Sequence, residues 1–244
     1  MNEKIKLTIT YDGTQFHGWQ VQKGKRTVQS TLQDAIELVA GNRNSVTGCS
    51  RTDAKVHANE FVCHTDFLNI PCDRIPMAIN AHLPEAVAVK KAEIVPGDFH
   101  ARYSCLGKEY VYKIFNSHYK DPFLVNRAMF YPKPLDEKIM NDALCAVVGK
   151  KDFRSFMAQG SKIEDTVREI KYCDIIRNGD MLTLRVAADG FLYNMVRIIV
   201  GTAIMASEKN LTYNDISGII ESQNRKNAGP TAPPSGLYLN KVFY

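Results

Sequence analysis

Apolar and polar residues alternate over Lys4-Ile5-Lys6-Leu7-Thr8-Ile9-Thr10-Tyr11. That period of two predicts a strand with one buried face, formed by Ile5, Leu7, Ile9 and Tyr11. Asp12-Gly13 ends it, and a polar loop runs on through Gly24-Lys25-Arg26. Val28, Leu32, Ile36 and Val39 then recur at helical spacing, with Thr27 placed to cap the helix and Gly41 to stop it. Two strand-like stretches, Ser45-Val46-Thr47 and Phe61-Val62-Cys63-His64, bracket a polar segment. A short helix with Ile75 and Ile79 leads to Asn80-Ala81-His82-Leu83-Pro84 and to a strand through Val87 and Val89.

The second half repeats this grammar loosely. Tyr110, Tyr112 and Ile114 alternate as a strand, and Met140, Leu144, Val147 and Val148 read as a helix stopped by Gly149. Asn178-Gly179 predicts a hairpin with a type I′ turn, which needs positive φ at both central residues. Leu182, Leu184, Val186 and Ala188 supply one face of its outgoing strand. A strongly apolar helix from Tyr193 to Ala206 follows, with Val196, Ile199, Val200, Ala203 and Ile204 inward, then a helix with Ile216, Ile219 and Ile220. After Pro230, Pro233 and Pro234 the chain closes on a strand from Leu237 to Tyr244. The element order predicts an α+β fold: two similar halves, 1–104 and 105–244, with mixed or antiparallel sheets flanked by helices and an active-site cleft between them.

Composition narrows the class. The 244 residues permit one large domain or two small ones. A net charge of +5 leans toward a polyanionic partner. Six scattered cysteines, with no C-x-x-C pair, read as reduced thiols in a cytoplasmic protein. Met1-Asn2-Glu3-Lys4 runs straight into the first strand, so no signal peptide is expected, and no apolar stretch reaches a membrane span. His57, His64, His82 and His100 lack the spacing of a zinc motif, so no metal is expected. Gly13 and Gly18 are followed by Trp19 rather than by the Lys-Ser/Thr of a phosphate loop.

The chemistry concentrates in Arg51-Thr52-Asp53-Ala54-Lys55-Val56-His57. A carboxylate on a turn at a strand end can face a cleft. Burial pushes such a group toward its neutral form and a nearby guanidinium holds it charged, a task for which Arg51 and Arg197 are the candidates. Arg197 stands in the apolar helix, where an arginine is costly unless paired. Tyr110 offers a face on which a base can stack. Basic residues gather at Lys23, Lys25 and Arg26, at Lys150, Lys151 and Arg154, and at Arg225 and Lys226, the kind of loops that track a phosphate backbone.

Ordered matches along nearly the whole chain resemble one family. Tyr11-Asp12-Gly13-Thr14-Gln15-Phe16-His17-Gly18-Trp19-Gln20, Val28-Gln29, Arg51-Thr52-Asp53-Ala54 with Val56-His57, and Asn80 to Pro84 come in sequence. Asp98-Phe99-His100-Ala101-Arg102, the pair Tyr110 and Tyr112, Phe191 to Arg197, and Gly236-Leu237-Tyr238-Leu239 complete the set. Together they are similar to the TruA family of tRNA pseudouridine synthases. The resemblance implies the pseudouridine synthase fold and a cofactor-free, metal-free isomerisation of uridine to pseudouridine in RNA. It makes Asp53 the catalytic aspartate. Arg51 fills the gap left by the flipped base, Tyr110 stacks on the uracil, and Arg197 holds Asp53 charged. Lys55 and His57 are placed beside the substrate. The implied partners are tRNA, at positions 38–40 of the anticodon stem-loop, and a second copy of the chain as a homodimer. Lys55 and Ser50 stand where the family carries glycine. A lysine beside the target base makes another structured RNA, such as ribosomal RNA, the alternative substrate. A non-catalytic RNA-binding paralogue is the competing class.

Overall fold

The computed structural model describes residues 3–161 and 163–244; Met1 and Asn2, which open the run into the first strand, lie outside the described residues. The chain divides into two compact units, Met1–Leu106 with Tyr238–Tyr244, and Gly107–Leu237.

The first unit begins with β1 (Lys4–Tyr11), whose strict burial alternation puts Ile5, Leu7, Ile9 and Tyr11 in the core. Next come α1 (Val28–Ala40), β2 (Val46–Gly48), β3 (His57–Asp66), α2 (Ile75–Asn80) and β4 (Val87–Val95). β1 lies between β3 and β4, antiparallel to both, so Ile9 is flanked by Phe61 and Val89. β2 pairs with the outgoing half of β3, Gly48 opposite Cys63. α1 starts where the sequence places it. The Thr27 hydroxyl accepts from the Ser30 N–H and the Ser30 side chain answers the Thr27 N–H, while Gly41 closes the helix at φ 75°.

The second unit opens on β5 (Gly107–Asn116) and β6 (Met129–Tyr131), which run parallel. α3 (Glu137–Leu144), β7 (Gly149–Asp152), β8 (Val167–Asn178), β9 (Met181–Ala188), α4 (Met195–Lys209) and α5 (Tyr213–Glu221) follow. Its strand order is β5-β9-β8-β7. The helix expected to run to Val148 ends as α-helix at Leu144. Cys145–Val147 form a 3-10 turn, and Gly149, at φ 101°, opens a strand instead of merely stopping a helix. The β8–β9 hairpin is where Asn-Gly predicts it, with a different turn. Asn178 pairs with Met181, so the loop is Gly179-Asp180, and of these only Gly179 has positive φ. Glycine at the first loop position is the type II′ pattern. The residues read as inward on α4 are all buried.

The last strand, β10 (Leu237–Phe243), pairs parallel with β3, Tyr238 opposite His57 and Leu239 opposite Ala58. Residues Tyr238–Tyr244 thus pack with the first unit, although sequence order places them in the second half. Antiparallel and parallel pairs together make the sheets mixed, and with the flanking helices the architecture is α+β.

Candidate active site

The loop between β2 and β3 carries Arg51, Asp53 and Lys55. It leaves β2 through a hydrogen bond from the Cys49 N–H to the Val62 carbonyl at 2.8 Å. It re-enters β3 through a turn over Asp53–Val56, in which the Val56 N–H donates to the Asp53 carbonyl at 3.2 Å. Lys55, third in that turn, sits at φ 67°. A turn of this shape favours glycine there because a Cβ is strained at positive φ. Asp53 is half-buried, while Arg51, Ala54 and Lys55 are exposed.

The segment after β1 grips this loop. The Trp19 N–H donates to the Thr52 carbonyl, and the Lys55 N–H to the Phe16 carbonyl, both at 3.1 Å. The Tyr11 hydroxyl and Thr52 Oγ1 lie 2.8 Å apart in the core. Two glycines allow the approach. A Cβ on Gly13 would sit 2.0 Å from the Val56 carbonyl oxygen, and one on Gly18, at φ 85°, would sit 2.4 Å from the Thr52 oxygen. Beneath them the Trp19 ring stacks on Phe61 at 4.1 Å. The loop bearing Asp53 is therefore held on both sides of the carboxylate by backbone, the arrangement that fixes a functional group on a rigid scaffold.

His57 braces the same loop from within. It is 2% exposed, stacks on Tyr238 at 4.6 Å, and accepts the Gly13 N–H on Nδ1 at 3.1 Å. The Asp12 carboxylate lies 3.2 Å from that nitrogen.

The second unit holds Tyr110 and Arg197. Tyr110, on β5 opposite Val186, is 7% exposed and meets the Phe191 ring edge-on at 5.1 Å. Its neighbour Tyr112 is fully buried and donates its hydroxyl to the Pro233 carbonyl at 2.8 Å. Burial drives the Tyr112 phenol well above its ordinary range, so it is a neutral donor. Arg197 stands in the first turn of α4, half-buried. Its Nε donates to the Ala232 carbonyl and its Nη1 to Asn194 Oδ1, each at 2.7 Å. Asn194 itself did not emerge from the sequence pattern; its signal is a left-handed residue at the entry of a helix it does not cap.

The basic groups differ in kind. Lys23, Lys25 and Arg26 are exposed on a small hairpin closed by the Lys25 N–H to the Gln22 carbonyl, and the Arg26 guanidinium lies 5.0 Å over the Phe16 ring. Lys150 and Arg154 are exposed, whereas the Lys151 ammonium is tied to the Ala146 carbonyl. Arg225 is a brace, bonded to the Ala228 carbonyl and Thr231 Oγ1, beside an exposed Lys226. Among the described residues no cluster of three His, Cys, Asp or Glu could hold a metal ion, and no helix is long and apolar enough to cross a membrane.

The family described as tRNA pseudouridine synthase matches residues 7–104 and 143–244, a span that includes the whole Asp53 loop and its grip. The chain belongs to the TruA family of tRNA pseudouridine synthases. Relatives bearing the name tRNA pseudouridine synthase A match from end to end. The protein of Ruminiclostridium cellulolyticum is 44% identical over 99% of both chains. Those of Geobacillus sp. and Bacillus subtilis are 43% and 41% identical over 100% and 99% of this chain and 99% of theirs. A chain in the crystal structure of a Cbf5-Nop10-Gar1 complex covers 96% of this chain and 57% of its own length at 11% identity and a TM-score of 0.38. Membership of the family makes the chain a pseudouridine synthase by class.

Proposed function

We propose that the protein isomerises uridine to pseudouridine in tRNA, at positions 38–40 of the anticodon stem-loop, with Asp53 as the catalytic carboxylate. The bond from C1′ to N1 breaks, the uracil turns, and C1′ joins C5. The proton on C5 leaves to solvent and N1 takes one up, so no net atom is gained or lost and no redox partner is required. The observation that carries this reading is the half-buried Asp53 on a turn clamped by Gly13, Gly18 and Trp19, within a family match that spans both units.

The other residues take the roles that the family resemblance implies. Extruding a base costs a few kcal/mol. Exposed Arg51 fills the vacated stack, and Tyr110 stacks on the uracil, a contact worth about 1–3 kcal/mol and so of the size of that cost. Arg197 supplies the positive charge that keeps Asp53 ionised. Lys55 meets the RNA backbone beside the target, and His57 serves the substrate through the turn that it braces. The N-terminal half carries the aspartate, and the protein works in the cytoplasm as a homodimer. A second reading, the same chemistry on another structured RNA such as ribosomal RNA, draws on one observation: Lys55 sets an exposed cation two residues from Asp53.

The test is a purified-protein assay on an unmodified anticodon stem-loop whose uridines carry tritium at C5. Wild type releases tritium to water. Asp53→Asn binds the RNA with similar affinity and releases none. Undiminished release by Asp53→Asn would remove Asp53 from the chemistry.

A further inference from the structure

We infer that Asn194 is a positioning residue that aims the Arg197 guanidinium, an inference that rests on Arg197 acting with Asp53. A helix N-terminus is normally capped by a side chain that accepts from the N–H two or three residues on, with its own backbone extended. Asn194 departs from both rules. It sits at φ 59° and ψ 10°, in the left-handed region, and makes no capping hydrogen bond. Its Oδ1 instead accepts from Arg197 Nη1 at 2.7 Å. Asparagine is the side-chain-bearing residue that adopts this conformation most readily, so the position combines a left-handed backbone with an amide acceptor.

Arg197 needs such an acceptor. It lies in the first turn of α4, where the unpaired N–H groups and the helix dipole repel a cation. Two fixed oxygens counter that repulsion. One is the Ala232 carbonyl, which receives Nε at 2.7 Å, while the Ala232 N–H returns a bond to the Arg197 carbonyl at 3.0 Å. That strand of chain is locked against α4, because a Cβ on Gly201 would sit 1.7 Å from the Pro230 oxygen. The other oxygen is Asn194 Oδ1. A planar guanidinium held at Nε and at Nη1 has its plane and its direction fixed. Removing the Asn194 amide deletes the Nη1 anchor and with it part of what fixes the plane and direction of the guanidinium.

The experiment compares Asn194→Gly, which keeps the left-handed backbone and deletes the amide, with Asn194→Asp, which restores an oxygen at Oδ1. Single-turnover rate, KM and urea stability are measured for each, alone and in Arg197→Lys. The inference expects Asn194→Gly to lower kcat by about tenfold or more, the loss of one bond to a charged group, with KM within about twofold. The unfolding midpoint stays near wild type, and Asn194→Asp recovers most of the rate. In Arg197→Lys, Asn194→Gly has no further effect on rate, because Asn194 acts only through the guanidinium. Unchanged kcat in Asn194→Gly, or a loss that adds in full to that of Arg197→Lys, overturns the inference. If Arg197→Lys and Arg197→Gln both keep wild-type rates, the role of Arg197 has failed instead.

Discussion

Replacing Lys55 with glycine should make the protein more stable and its RNA binding weaker. Lys55 sits at φ 67°, and a left-handed L-residue costs roughly 1–2 kcal/mol. Glycine removes that cost but gives the unfolded chain more freedom, worth about 0.5–1 kcal/mol the other way. The balance is a gain of up to about 1.5 kcal/mol, centred near 0.75 kcal/mol. The backbone grip persists, since the Lys55 N–H to Phe16 bond and the Val56 N–H to Asp53 bond involve no side chain. Trp19, the chain's only tryptophan, is buried against Phe61 in the same unit, so its fluorescence in urea reports the unfolding of this region directly. The midpoint should rise with no change in slope. In parallel, the dependence of log affinity on log salt should flatten by about 0.7–0.9, the loss of one phosphate contact. Lys55→Ala separates the effects. It keeps the Cβ and the strain but not the charge, so its salt slope flattens while its midpoint does not rise. A Lys55→Gly protein that unfolds at the wild-type urea concentration or below would refute the strain argument, and an unchanged salt slope would refute the phosphate contact.

Gly18→Ala puts a Cβ 2.4 Å from the Thr52 oxygen at φ 85°, so the Asp53 turn must shift. A destabilisation on the order of 2 kcal/mol, with tritium release cut at saturating RNA, is expected; wild-type turnover would contradict it. Tyr112→Phe leaves the Pro233 carbonyl without its buried donor and should cost about 1 kcal/mol in urea with turnover retained, whereas Tyr110→Ala should lose turnover through the missing stack. Acid should weaken the first unit through His64, which burial, then Lys4 and His100, hold down to about 4 from 6.5 while its Nδ1 accepts the Ala101 N–H. The unfolded chain takes up this proton at a higher pH than the folded one, so stability is full above about 6.5 and falls as pH drops toward about 4. Urea midpoints across that window should be flatter in His64→Gln, and an identical fall would remove His64 as the cause.

Much of the fold can be read from the pattern because its elements are locally consistent. β1 alternates without a break, and α1 has both its cap at Thr27 and its left-handed stop at Gly41. The misses have local causes. Val147 continues the apolar spacing of α3, yet the chain tightens at Cys145 so that Gly149 can enter β7 at φ 101°, a tertiary demand that periodicity does not carry. Asp180 follows Gly179 in the hairpin loop, and the turn takes its class from which two residues the register leaves unpaired. Of the residues proposed for the reaction, Asp53, Arg51, Tyr110 and Arg197 are legible in the sequence as chemical types in telling settings. The reason for Gly13 and Gly18 was not, since only three dimensions show a neighbouring carbonyl where their Cβ would be. Asn194 was hidden for a similar reason: its bond to Arg197 follows from a left-handed φ that its letter permits but does not announce. His57, expected beside the substrate, turned out to be buried under Tyr238.

The most direct test of the account is site-resolved pseudouridine mapping of total RNA from cells that have the gene, lack it, or carry only Asp53→Asn. The account predicts loss of pseudouridine at the tRNA anticodon stem-loop in the deletion and an equal loss in Asp53→Asn, with ribosomal RNA unchanged. Intact tRNA modification in the deletion, or full modification supported by Asp53→Asn, would contradict it.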